Sequence, residues 1–192
     1  MLAETTSLAN FTVTGNVDVV ANNTYGITTP GGNVIDLDGT AGPGELVSGS
    51  FYAFNAGDVV TLGFLLGGAQ RGAGFDDASF LLESEGRQNR FSNAVGFGYF
   101  SFPLDTGSFY GASGFVRLAS TDPFLWSGVT LTAASAGSFN FRIGTNSSDN
   151  IGPLLAGVQI DITPTAVPEP ATGGLMLLGL GLLARARRRR LA

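Results

Sequence analysis

The run WSGVTLTAASAGSFNFRI, residues 126–143, carries the pattern on which the fold is read. Phe139, Phe141 and Ile143 alternate with Ser138, Asn140 and Arg142, the period of two expected of a strand with one buried face. Ala136-Gly137 separates this strand from a second one running Trp126 to Thr132, so the pair predicts a β-hairpin. Another hairpin is predicted upstream: Leu46 to Phe54, a turn at Asn55-Ala56-Gly57-Asp58, and a return over Val59 to Leu66 with Val60, Leu62, Phe64 and Leu66 pointing inward. The same alternation places Val158, Ile160 and Ile162 inward and Gln159 and Asp161 outward over Ala156 to Ile162. Over Tyr110 to Leu118 it puts Phe115 and Arg117 on one face and Val116 and Leu118 on the other. Shorter strands are read on either side of a Gly15-Asn16 turn, at Val34 to Asp38, at Phe80 to Leu82, and at Val95 to Phe102 within an otherwise loop-like region. Strands recurring about every 8–14 residues, with no long amphipathic helical pattern between them, predict an all-β antiparallel sandwich rather than βαβ units.

Composition agrees with that class. Glycine is very frequent (29 residues), histidine and cysteine are absent, and the ten basic residues are all arginine. β-Formers punctuated by Gly and Pro suit a sandwich or barrel. Charge is split unevenly along the chain. Up to Ala166, five arginines stand against fourteen acids, a net −9; the remaining residues carry five arginines and Glu169, a net +4. An acidic body repels phosphates, so nucleic acid is not an expected partner. The first residues, MLAETTSLANFTV, have neither a basic n-region nor an apolar h-region, so they are not a secretory signal; the expected start lies upstream, the alternatives being a leader already removed or insertion by the C-terminal helix alone.

The C-terminus, VPEPATGGLMLLGLGLLARARRRRLA (residues 167–192), has three parts in a fixed order. Pro168, Glu169 and Pro170 resist both helix and sheet, and so stay extended and readable. Residues 171–184 are uncharged and apolar; at 1.5 Å per residue they span about 21 Å, short of a hydrocarbon core of about 30 Å. Snorkelling arginines lengthen the effective span. Arg185, Arg187, Arg188, Arg189 and Arg190 then hold that end on the cytoplasmic side. The competing reading is a C-terminal helix docked on the domain, which leaves five arginines with no comparable acidic partner nearby.

This tripartite tail resembles the PEP-CTERM sorting signal of Gram-negative bacteria. The resemblance implies recognition by an exosortase, an integral-membrane transpeptidase-like protease, with Pro168, Glu169 and Pro170 as the residues read. It divides the chain into a β-sandwich ectodomain (1–163), a Pro-rich linker with the sorting motif (164–170), and a single transmembrane helix with an Arg-rich cytoplasmic tail (171–192). The body also resembles galactose-binding-type and carbohydrate-binding-module jelly rolls. That likeness is carried by residues 34–46, 56–62, 138–144 and 157–162, and it speaks to architecture more than to ligand.

Lacking His and Cys, the chain has no Ser-His-Asp triad, no thiol nucleophile, and no zinc or haem ligands of those types. Carboxylate chemistry remains. Asp76-Asp77, or Glu83 with Glu85 at roughly 7 Å along one strand, are the candidate pairs for a glycosidase, which needs carboxyls about 5–9 Å apart across a cleft. The alternative is an exposed polar strand end. Asp36, Asp38 and Asp161 are the candidate ligands of a structural calcium ion, since first and last strands of such sandwiches tend to lie close and hard oxygen ligands suit Ca²⁺. The alternative there is three solvent-facing residues. Trp126, Tyr52, Tyr99, Tyr110 and Phe109, with Arg87, Arg90 and Asn89, are candidates for sugar binding; Trp126 reads equally as a buried anchor.

The expected protein is therefore non-catalytic and exported. It is anchored in the inner membrane before exosortase processing, then lies at the cell surface or in an exopolysaccharide matrix. A dedicated carbohydrate-binding module is the alternative, and a carboxylate-dependent glycosidase the third reading.

Overall fold

The computed structural model describes residues 2–72, 74–88, 90–100, 111–147 and 149–165. Thirteen strands account for most of them: β1 (Leu2–Leu8), β2 (Phe11–Val20), β3 (Val34–Asp36), β4 (Asp38–Gly39), β5 (Gly42–Ser48), β6 (Tyr52–Phe54), β7 (Val59–Gly67), β8 (Phe75–Ser84), β9 (Phe91–Phe97), β10 (Gly111–Ala119), β11 (Leu125–Ala133), β12 (Gly137–Thr145) and β13 (Leu154–Thr163). Every pairing is antiparallel, in the order β10-β8-β12-β5-β2-β3-β13-β7-β11-β9, with β1 on β2, β4 on β5 and β6 on β12. The all-β antiparallel expectation holds. The two layers, however, are the two arms of one continuous sheet, bent over at β2 and β3 into a nearly closed barrel.

Ring contacts show the arms facing each other. Phe64 of β7 lies 5.8 Å from Phe80 of β8 and 5.8 Å from Phe141 of β12, although β7 pairs with neither strand. Val60, Leu62, Phe64 and Leu66 from one arm meet Leu82, Phe139, Phe141 and Ile143 from the other, all at most 1 % exposed. Each such side chain contributes about 1.5–3 kcal/mol of burial. Phe100, beyond the end of β9, stacks edge-on against Phe80 at 4.7 Å, reaching from one end of the ladder to the other arm. The expected inward faces are confirmed here, including the half-buried Val158, Ile160 and Ile162 packed against the core.

The strand pairings differ from the sequence reading. Residues 126–143 do not form a hairpin: β11 pairs with β7 and β9, whereas β12 pairs with β5, β6 and β8. Ala134-Ser135-Ala136 is an arch from one arm to the other. Asn55–Asp58 is a second arch, since β6 pairs with β12 and β7 with β11 and β13. A hairpin and an arch place the same alternation and the same turn residues in the chain; they differ only in which distant strand supplies the hydrogen bonds. Leu46 to Phe54 is also broken, with Gly49–Phe51 standing out between β5 and β6 along the same edge of β12. Gly15-Asn16 is not a turn but an irregularity inside β2. Gly15 holds φ +74°, and a Cβ there would meet the Pro43 carbonyl at 2.2 Å. The N-terminal residues, unassigned from sequence, form β1 along β2.

Candidate functional site

The aspartates singled out for calcium divide into two places. Asp36 and Asp38 are fully buried where β3 runs into β4. Asp161 sits on the exposed face of β13, opposite Thr61, and accepts a hydrogen bond from the Thr163 hydroxyl at 3.3 Å. Leu154 is the β13 residue opposite Asp36, so Asp161 lies seven residues along the strand, roughly 23 Å away. The three residues are not brought together, because β13 meets β3 only at its first two residues. Among the described residues no group of three or more acidic side chains has the spacing to hold a metal ion.

Asp36 and Asp38 do a different job. Asp36 Oδ1 accepts the Asp38 N–H at 3.1 Å and the Gly152 N–H at 2.9 Å, and its Oδ2 takes the Arg71 guanidinium at 2.5 Å. Asp38 Oδ2 accepts the N–H groups of Asp149 (2.9 Å) and Asn150 (3.0 Å). Asp18, on β2 opposite Asp36, accepts from both the N–H and the hydroxyl of Thr40. These carboxylates satisfy backbone donors of two irregular segments, the β12–β13 connection and the β4–β5 turn, that no sheet partner serves. Gly152 is required there, since a Cβ would stand 2.5 Å from the Asp38 nitrogen. Arg71, also 5.7 Å above the Tyr25 ring, supplies the positive charge.

Burial leaves its mark on the acids. Desolvation pushes the Asp36 carboxyl up to about 7 against the opposing pull of Arg71 and the N–H donors. Asp76, 6 % exposed at the start of β8, is pushed up to about 6 by burial and then by repulsion from Asp149, Asp38 and Asp77. It lines a polar cavity of about 110 Å³ together with Arg71, Ser120 and Asp149.

The candidate glycosidase pairs do not face a cleft. Asp76 and Asp77 are consecutive on β8 and point to opposite sides; Asp77 is held below its usual range by a two-pronged hydrogen bond from Arg117, at 2.8 and 3.0 Å. Glu83 ion-pairs with Arg142 at 3.7 Å, and Glu85, one residue past the end of β8 in a 3-10 turn, accepts from the Ser138 hydroxyl. A cavity of about 440 Å³ opens elsewhere, lined by residues that include Phe11, Ile35, Leu46, Tyr52, Phe141 and Ile160.

Of the sugar-binding candidates, Tyr52 packs between the arms against Phe139, the Tyr99 hydroxyl donates to the Pro123 carbonyl at 2.6 Å, and Arg90 donates to Ala136 while lying over Gly137. Trp126 is not a core anchor: it is 40 % exposed on the outer face of β11. Asn89, Phe109, Tyr110 and the Arg87 side chain lie outside the described residues, as do Pro168, Glu169, Pro170, the apolar run and the terminal arginines. The function of that last segment rests on comparison. No curated protein and no solved structure matches the chain. Residues 166–190 match the PEP-CTERM protein-sorting motif, and this implies an exported, surface-sorted protein processed by an exosortase.

Proposed function

We propose that the chain is a non-catalytic component of the cell surface or of an exopolysaccharide matrix, held in the inner membrane by residues 171–192 until an exosortase processes it. The sorting motif at residues 166–190 carries this reading. Two further observations support the non-catalytic role: the chain has no His or Cys, and among the described residues Asp77, Glu83 and Glu85 are engaged with Arg117, Arg142 and Ser138 respectively. Replacing Pro168-Glu169-Pro170 by three alanines in an exosortase-bearing host leaves the precursor mass unprocessed; a mature band of unchanged mass would contradict the assignment. Removing residues 171–190 moves the domain from the pellet to the soluble fraction, and a pellet-bound product would count against the anchor.

The second reading is that the domain is itself a carbohydrate-binding module. One observation favours it, the solvent-facing indole of Trp126 on the outer face of β11. Saturable, sugar-specific retention on the host's polysaccharide separates it from a purely structural role.

A further inference from the structure

The outer face of the second arm is organised in transverse rows by its register. Trp126, Leu65 and Gly157 make one row; Phe97, Gly128, Gly63 and Gln159 the next; Val95, Thr130, Thr61 and Asp161 the third. Gly128 and Gly63 leave the middle of the second row without side chains, and Gly157 leaves the β13 end of the first row bare beside Leu65. The Trp126 benzo ring fills that space. A Cβ on Gly63 would touch its Cε3 at 3.4 Å, and a Cβ on Gly157 would touch its Cη2 at 3.4 Å, so the ring is laid across β7 and β13 at van der Waals contact height. Phe97 leans in from β9, its Cζ 3.5 Å from the same Gly63 position. Gly63 and Gly128 are thereby buried although they belong to an outer face, while the indole itself stays 40 % exposed.

We infer that this face is a sugar-binding platform, with Trp126 stacking on a pyranose ring of a neutral polysaccharide and Gln159 and Asp161 binding its hydroxyls. The inference rests on the carbohydrate-binding reading above and gives it a location. A rigid aromatic surface backed by the sheet offers a planar, apolar contact at little entropic cost. The exposed Gln159 amide borders the ring on the β13 side, and the third row supplies the Asp161 carboxylate and the Thr61 and Thr130 hydroxyls, 3.2 Å apart. Apolar body and few convergent polar groups is the composition of a site for an amphipathic, hydroxyl-rich ligand. Asp161 is the only ionisable side chain in the three rows, so an anionic chain is disfavoured. Trp126 and Val95 are the exposed large hydrophobics of the three rows, about 200 Å² of apolar surface. That area is nearer to the footprint of one or two sugar rings than to the apolar part of a stable protein interface of about 800 Å² per partner.

Trp126 is the only tryptophan of the chain, so its emission reports on this face alone. The full chain in mild detergent is titrated with neutral gluco-, manno- and galacto-hexasaccharides, with a galacturonate oligomer as the anionic control. A saturable change in Trp126 emission with at least one neutral probe is expected, and none with the anionic one. In affinity electrophoresis through the corresponding polysaccharide, Trp126→Ala weakens retention by roughly tenfold or more, and Trp126→Phe restores part of it. Gln159→Ala, on an exposed side chain, weakens retention severalfold with an unchanged melting temperature. No response to any neutral probe, or retention unaffected by Trp126→Ala, overturns the proposal. So does emission that changes with protein concentration alone. Precursor processing is scored on the same preparations: a chain that is clipped but binds no probe sinks the platform only, whereas one that binds but is never clipped sinks the sorting reading and leaves the platform standing.

Discussion

Asp76 offers a quantitative test of how the β-domain tolerates its buried acids. It points inward from β8, 6 % exposed, with Asp149, Asp38 and Asp77 as charged neighbours and a hydrogen bond from Ser147 as partial relief. Its carboxyl is raised from 3.8 to about 6. The folded state therefore binds the proton more tightly than the unfolded chain. The stabilisation is fully present below pH 3.8, declines as pH rises through 6, and is gone above that. Two pKa units at 1.36 kcal/mol each set an upper limit of about 3 kcal/mol. The polar cavity beside Asp76 admits solvent and reduces this to about 1–2 kcal/mol. Asp76→Asn keeps the volume, can still accept from Ser147, and removes the charge. At pH 8 the variant is expected to melt about 3–8 °C above the parent, and at pH 4 to melt with it. Thermal unfolding of both full chains in mild detergent at the two pH values gives the double difference, in which the separate titration of Asp36 cancels. A difference equal at both pH values, or a variant less stable at pH 8, would refute the reasoning.

Arg71→Gln leaves Asp36 buried without its cation, so urea unfolding at pH 8 should show a loss of about 3 kcal/mol. Because Asp36 titrates near 7, the loss shrinks toward pH 5, where the carboxyl is protonated; a pH-independent loss would show that the pair is not electrostatic. Phe139→Ala, emptying a site ringed by Tyr52, Phe54 and Phe91, should cost about 3–5 kcal/mol, whereas Phe75→Ala at a 69 % exposed position changes stability by less than about 0.5 kcal/mol. Melts in calcium and in EDTA should superimpose, since Asp36 and Asp38 are occupied by N–H donors and Asp161 is remote; calcium stabilisation lost in Asp161→Asn would restore the three-aspartate site.

Much of the inner face is legible along the chain, because a strand with one buried side repeats every second residue and that period is local. Phe139, Phe141 and Ile143, or Val60 to Leu66, need no knowledge of their partners to be read as inward. The role of Asp36 and Asp38 is not legible in that way. Both stand among alternating residues like solvent-facing acids, and their N–H donors at 149–152 come from more than 110 residues later. The cue available was indirect: Asp38 ends a strand at Gly39, next to turn residues whose backbone groups need acceptors. Trp126 was ambiguous for the same reason. Its own strand places it outward, but the space it occupies is made by Gly63 and Gly157 on two other strands.

By itself, the order of residues determined the all-β class, the buried faces of β7, β12 and β13, the split between an acidic body and a basic tail, and the sorting motif at residues 166–190. All of these are local: a period, a count, a contiguous run. Only the tertiary structure decided that the two expected hairpins are arches, that two layers are one bent sheet, and that the aspartates clamp loops instead of gathering around an ion. Backbone hydrogen bonding between strands is indifferent to sequence distance and nearly indifferent to side-chain identity. Partner choice is therefore set by how the whole set of apolar faces closes on one interior, which no single stretch encodes.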